Sequence, residues 1–272
     1  MSPAAPKPQP LRQVIDSISD RLWSKEAGDQ PIPFILGGSY AAAREAYKRS
    51  GGKMTLAYND IDIWYKSVDD EDEGREGILK VTYEKNVFPD RPDIELNVIR
   101  MGRLNLRGLI DDFDMNNVQV GYKVVPKIKG RKLVAEVAET YLAPAFHKFL
   151  LSSTLEIVDP TNKKTGAASL IRLLYKAQQL GLPYNLPPEK ELLQAFSDRA
   201  FAPEKVHQKL QQLTGRFREE IFSRFNVVLD VCHNWSDCPY EGKQMYRLIC
   251  KDTGFAGRHT LAQIRARDRQ DA

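Results

Sequence analysis

The chain has 272 residues, 42% apolar and 28% charged, with a formal net charge of +4. Those values fit one large or two ordinary globular domains with a real core, and they exclude a disordered or fibrous chain. No run approaches the ~18 apolar residues of a membrane helix, and three cysteines, an odd number, fit a reducing cytoplasm without a disulfide framework.

The Pro-rich start, MSPAAPKPQP, lacks the apolar core of a secretory signal and reads as a disordered arm over residues 1–9. Leu11, Val14, Ile15, Ile18 and Leu22 then recur at helical spacing, which predicts an amphipathic helix over 10–27. An apolar run, Pro33 to Leu36, leads into Gly37-Gly38-Ser39 and a helix-like stretch, Tyr40 to Tyr47. Tyr58 to Tyr65 alternates as a strand, so Asp60 and Asp62 share one face and Ile61 and Ile63 the other. The acidic stretch 67–77, SVDDEDEGREG, reads as a solvated hairpin tip rather than a metal site. Asp93 to Ile99 alternates again, with Glu95 and Asn97 on one face. LRGLIDDF is helix-like, and Asp114 opens an alternating run from Met115 to Tyr122.

The next segment, KVVPKIKGRK, carries Lys123, Lys127, Lys129, Arg131 and Lys132. These residues could contact a polyanion, or protect a hairpin edge. From about residue 135 the periodicity turns helical, over 135–151, 165–181, 188–199 and 203–225. The expected fold is therefore α/β: a small mixed sheet flanked by helices (10–134), followed by a mainly helical C-terminal domain (135–272).

Two like charges on one strand face repel unless a cation lies between them, and oxygen-only sites suit Mg²⁺. Glycines between a strand and a helix aim backbone N–H groups and a positive helix end at an anion. Together these are the parts of phosphoryl or nucleotidyl transfer. Other chemistries fare worse. No Gly-x-Ser-x-Gly elbow occurs, and Gly51-Gly52-Lys53 is too short for a P-loop. Cys232, His233, Cys238, Cys250 and His259 match no ordinary zinc spacing and read as free cysteines and a capping histidine.

FILGGSY followed by DIDIWY resembles the signature of the DNA polymerase β-like nucleotidyltransferase superfamily, over roughly residues 30–125. FDMNNVQVGY (113–122) is similar to a pattern of its phage-encoded members. One departure is the distance between Ser39 and Asp60, longer than usual. The resemblance implies that Asp60 and Asp62 hold Mg²⁺ or Mn²⁺ with a third carboxylate, Glu95 or Asp114. It implies that Gly37, Gly38 and Ser39 bind the triphosphate of an NTP. In RNA-tailing members a helix after the catalytic domain supplies basic residues there, a place Arg172 and Lys176 would fill. The implied reaction moves an NMP from an NTP to an acceptor hydroxyl. An RNA 3′ end stands ahead because of Lys127, Lys129, Arg131 and Lys132. A protein hydroxyl, a second nucleotide and a small antibiotic stay open, as does an inactive binding module on the same fold.

Overall fold

The computed structural model describes residues 6–25, 31–68, 72, 75–159, 166–188, 191, 200–220, 227–232 and 245–250. It divides into two units, 1–113 with 117–152, and 114–116 with 153–272. No helix among the described residues is long and apolar enough to cross a membrane.

The first unit is a mixed sheet of six strands flanked by helices. In chain order it contains α1 (Leu11–Lys25), β1 (Phe34–Gly37), α2 (Gly38–Arg49), β2 (Asp60–Lys66), β3 (Ile78–Glu84) and β4 (Glu95–Met101). Then follow α3 (Leu106–Asp111), β5 (Val120–Lys129), β6 (Lys132–Leu142) and α4 (Pro144–Ser152). The strands lie in the order β3-β4-β2-β1-β5-β6. β2 and β4 run parallel, and the other pairs are antiparallel.

Each sheet face has its own cover. Ile61 and Ile63 of β2 and Leu36 of β1 are buried on one face, with Tyr122 of β5. The Tyr122 hydroxyl donates to Glu45 of α2 at 2.9 Å, so α2 packs here. On the other face α3 sets Leu106 and Ile110 against Ile35, Trp64 and Ile99. It can approach closely because Gly37 and Gly121 are paired across β1 and β5. A Cβ on Gly121 would lie 2.7 Å from Ile110 Cδ1, and one on Gly37 3.1 Å from the Trp64 ring.

Several expectations are corrected. Residues 135–151 are not one helix: β6 runs to Leu142, and only then does α4 begin. Val134, Val137 and Thr140 are β-branched and pair along β5, and this long ladder overrides the helical spacing. The first unit takes in β6 and α4, to Ser152. The expected strand from Met115 is a 3₁₀ turn at Asn116–Val118, with β5 starting at Val120. The arm is packed at its end, because Pro8 and Gln9 are buried. Gln9 N–H donates to the Tyr58 hydroxyl at 3.2 Å, and its carbonyl accepts from Tyr40 at 3.0 Å. Residues 1–5 lie outside the described residues. Within the acidic stretch Asp72 is buried, bonded by Ser67 at 2.7 Å and Arg75 at 2.9 Å. Those donors hold its carboxyl below the usual carboxylate range, Ser67 most of all.

The second unit contains α5 (Gly166–Leu180), helices Glu204–Gln211 and Gly215–Glu219, and three strands. α5 buries Leu170, Ile171, Leu173, Leu174 and Ala177. The helix expected over 203–225 is interrupted at 212–214, Gly215 opens the next helix with a φ of +49°, and 221–225 lie outside the described residues. β7 (Ala200–Pro203), β8 (Val227–Cys232) and β9 (Met245–Cys250) form a three-stranded sheet that the helical reading did not anticipate. Of the helix expected over 188–199, all but Pro188 and Glu191 lies outside the described residues.

Candidate active site

The parallel pairing of β2 with β4 sets Asp60 opposite Glu95 and Asp62 opposite Asn97. Paired residues of neighbouring strands point the same way, so all four side chains rise from one face. The upper row joins two carboxylates, and the lower row joins a carboxylate to an amide. Asp60, Asp62 and Glu95 are each half-buried.

Neutral donors grip both aspartates. The Ser39 hydroxyl donates to Asp60 Oδ1 at 2.9 Å, and Asn97 Nδ2 donates to Asp62 Oδ1 at 2.6 Å. Gly38 supports Asp62 from the other side. Its φ is +69°, a left-handed conformation that glycine adopts freely. A Cβ there would stand 2.6 Å from Asp62 Oδ2. The turn that opens α2 thus does two jobs: it aims a helix N-terminus at the site, and its bare second glycine leaves room for a carboxylate. Gly37 by contrast lies under Trp64, Ile110 and Phe113, in packing contact. Sequence reasoning set Asn97 on the face of Glu95 but gave it no role. Only the strand register reveals its partner.

Oxygen donors of this kind fit a hard divalent ion, which commonly takes one or two carboxylates and completes its shell with substrate phosphates and water. Among the described residues, no three His, Cys, Asp or Glu side chains are gathered closely enough to hold a metal by themselves. Ser39 and Asn97 draw the two aspartates toward their own donors.

Asp114, Arg172 and Lys176 belong to the second unit. Asp114 Oδ2 accepts from Ser169 at 2.6 Å and meets Arg172 Nη1 at 3.1 Å, so its charge is already offset. Lys176 reaches Gln179 at 3.1 Å. Lys127 and Lys129 stand on β5, and each lies 3.1 Å from Glu136 Oε2 on β6. Both lysines hold the Glu136 carboxyl below the usual range. Arg131 and Lys132 sit at the exposed turn of the same hairpin. Cys232 and Cys250 lie at opposite ends of the β8–β9 ladder. His233, Cys238 and His259 lie outside the described residues.

A cavity of about 560 Å³ opens at the far ends of β1 and β2, lined by Ile32, Ile35, Lys66, Asp72, Leu104 and Lys123. Asp60, Asp62 and Glu95 are not among the residues that line it.

No protein-family model matches the chain, and no curated protein matches it. Among solved structures, it is similar to a Thermotoga maritima CCA-adding enzyme complexed with tRNA, at 12% identity and a TM-score of 0.40, covering 78% of this chain and 45% of that one. A CCA-adding enzyme complexed with CTP is similar at 11% identity and a TM-score of 0.46, covering 79% and 51%. A tRNA nucleotidyltransferase complexed with a primer tRNA and an incoming ATP analog is similar at 14% identity and a TM-score of 0.42, covering 75% and 59%. The chain spans about half the length of these structures. Likeness this remote carries nothing about activity.

Proposed function

We propose that this protein is a metal-dependent nucleotidyltransferase that moves an NMP from an NTP to an acceptor hydroxyl, with an RNA 3′ end as the leading acceptor. The observation that carries the reading is the in-register group of Asp60, Asp62 and Glu95 on one sheet face, beside the Gly38–Ser39 turn. Asp60 and Asp62 are the proposed metal ligands, and Glu95 is the third carboxylate. Asp114 is left to anchor the second unit, since Ser169 and Arg172 already answer its charge. Arg172 is paired with Asp114.

When bound, Mg²⁺ or Mn²⁺ would lower the pKa of the attacking hydroxyl and offset charge on the triphosphate. Ser39 orients Asp60 through its hydroxyl, and Asn97 orients Asp62. Backbone N–H groups at the start of α2 receive the phosphates, in keeping with the positive end of a helix. Glu95 accepts the proton of the acceptor hydroxyl. The acceptor oxygen bonds to the α-phosphorus as the α–β bridging bond breaks, and pyrophosphate leaves.

The inactive-module reading keeps one observation in its favour, that no three ligands are gathered among the described residues. One experiment separates the two. The protein is incubated with each labelled NTP and Mg²⁺ or Mn²⁺, with RNA, protein and small-molecule pools kept separate. Label transfer to RNA, absent in Asp60→Ala, supports the proposal. Label in another pool moves the acceptor. No transfer to any pool, together with a thermal shift on adding NTP and Mg²⁺, identifies a binding module.

A further inference from the structure

Asn97 is 7% exposed, and the strand positions around it, Leu96, Val98 and Ile99, are apolar and buried. Its Oδ1 is buried and has no hydrogen-bond partner among the described residues. A buried acceptor left unsatisfied costs stability, and a leucine of the same branched shape would avoid that cost. Nor can the amide be turned around to cure it. Reversed, it would bring Oδ1 within 2.6 Å of the carboxylate oxygen of Asp62, two acceptors facing each other. An aspartate at 97 would be no better, because like charges directly opposite on neighbouring strands repel. The amide thus leaves its Oδ1 unsatisfied while its Nδ2 donates to Asp62.

From this we infer that Asn97 is a positioning residue for Asp62: its amide N–H fixes the carboxylate against Gly38 and so sets the affinity of the site for a divalent ion. The inference rests on the metal-binding reading given above. Partners that orient a ligating carboxylate commonly change metal affinity by about 10- to 100-fold when lost. The bond to Asp62 is the route by which Asn97 acts.

Mn²⁺ binding, followed by the electron paramagnetic resonance of free Mn²⁺, tests this without any turnover. Asn97→Leu is expected to weaken Mn²⁺ binding by about 10- to 100-fold. Its thermal midpoint without metal should change little, because losing the bond to Asp62 is offset by removing the unsatisfied Oδ1, whereas Gly38→Ala would leave the whole amide unpaired. Asn97→Thr, which suits a strand and keeps a hydroxyl donor, should recover most of the affinity. In an Asp62→Ala background, Asn97→Leu should change Mn²⁺ affinity no further, because the two residues act as one unit. If Asn97→Leu does not fold, Asn97→Ala removes the donor without added bulk and carries the same expectation. Wild-type Mn²⁺ affinity in the Leu or Ala variant overturns the inference, as does an equal loss with and without the Asp62 carboxylate. Should the wild-type protein bind no Mn²⁺, the metal reading falls first and this inference with it.

Discussion

Gly38→Ala is the most revealing single change in the first unit. Two costs fall on that position, and they can be separated. The first is backbone strain: alanine at a φ of +69° costs about 1 kcal/mol, once its smaller unfolded-state entropy is counted. The second is collision, because the new Cβ would lie 2.6 Å from Asp62 Oδ2. Asp62 must then swing away and give up the bond from Asn97, a hydrogen bond to a charged group worth about 1.5–3 kcal/mol. The expected destabilisation is about 2.5–4 kcal/mol in urea unfolding. Gly51→Ala supplies the control, since Gly51 has a φ of +63° with nothing within 4 Å of its Cβ position. It should cost the strain alone, about 1 kcal/mol. In an Asp62→Ala background the collision vanishes, and Gly38→Ala should fall to the Gly51→Ala value. If Gly38→Ala costs no more than Gly51→Ala in the wild-type background, Asp62 does not rest on Gly38 and the site geometry is refuted.

Glu95→Gln and Asp114→Asn should part ways in single-turnover transfer. The first should lose several kcal/mol of transition-state stabilisation, and the second should keep activity but unfold more readily; equal mild losses would contradict the choice of Glu95. Glu136→Gln frees Lys127 and Lys129, so RNA binding should tighten and its log–log salt slope steepen by up to about 0.7 per freed lysine. Neutralising Lys127, Lys129, Arg131 and Lys132 together should flatten that slope, and an unchanged slope would remove RNA from the proposal. Tyr40 and Tyr122 are raised above their ordinary value of 10.0, chiefly by burial. Their contribution is complete below pH 10 and is lost as pH rises, because only the unfolded chain then ionises. Stability should fall by about 1.4 kcal/mol per pH unit for each of them above pH 10. Tyr122→Phe should remove one such increment from the slope measured by chemical denaturation.

The sequence carried the local pieces well. The period-two alternation around Asp60 and Asp62 is a strand, and the glycines after Phe34-Ile35-Leu36 do open a helix. Both patterns are written in neighbouring residues, where backbone sterics and side-chain periodicity act. Residues 135–142 misled for the opposite reason. Their spacing is compatible with a helix, and only the ladder with β5 makes them a strand. Arg172 and Lys176 were legible as a basic pair on a helix, but Asp114, far away in sequence, is what answers Arg172.

What the sequence alone determined is the inventory at the site: two carboxylates on one strand face, a glycine turn leading into a helix, and carboxyl candidates on later strands. What the tertiary structure decided is which of them meet. The register of β2 on β4 brings Glu95 level with Asp60 and Asn97 level with Asp62, across 35 residues in each case. A shift of one residue would turn Glu95 and Asn97 to the opposite face. That register follows from burying Ile61, Ile63, Leu96 and Val98 together, a non-local requirement that no window of sequence contains. Asn97 shows the difference most clearly: in the sequence it is a polar residue in an apolar strand, and its use appears only when Asp62 lies 2.6 Å away.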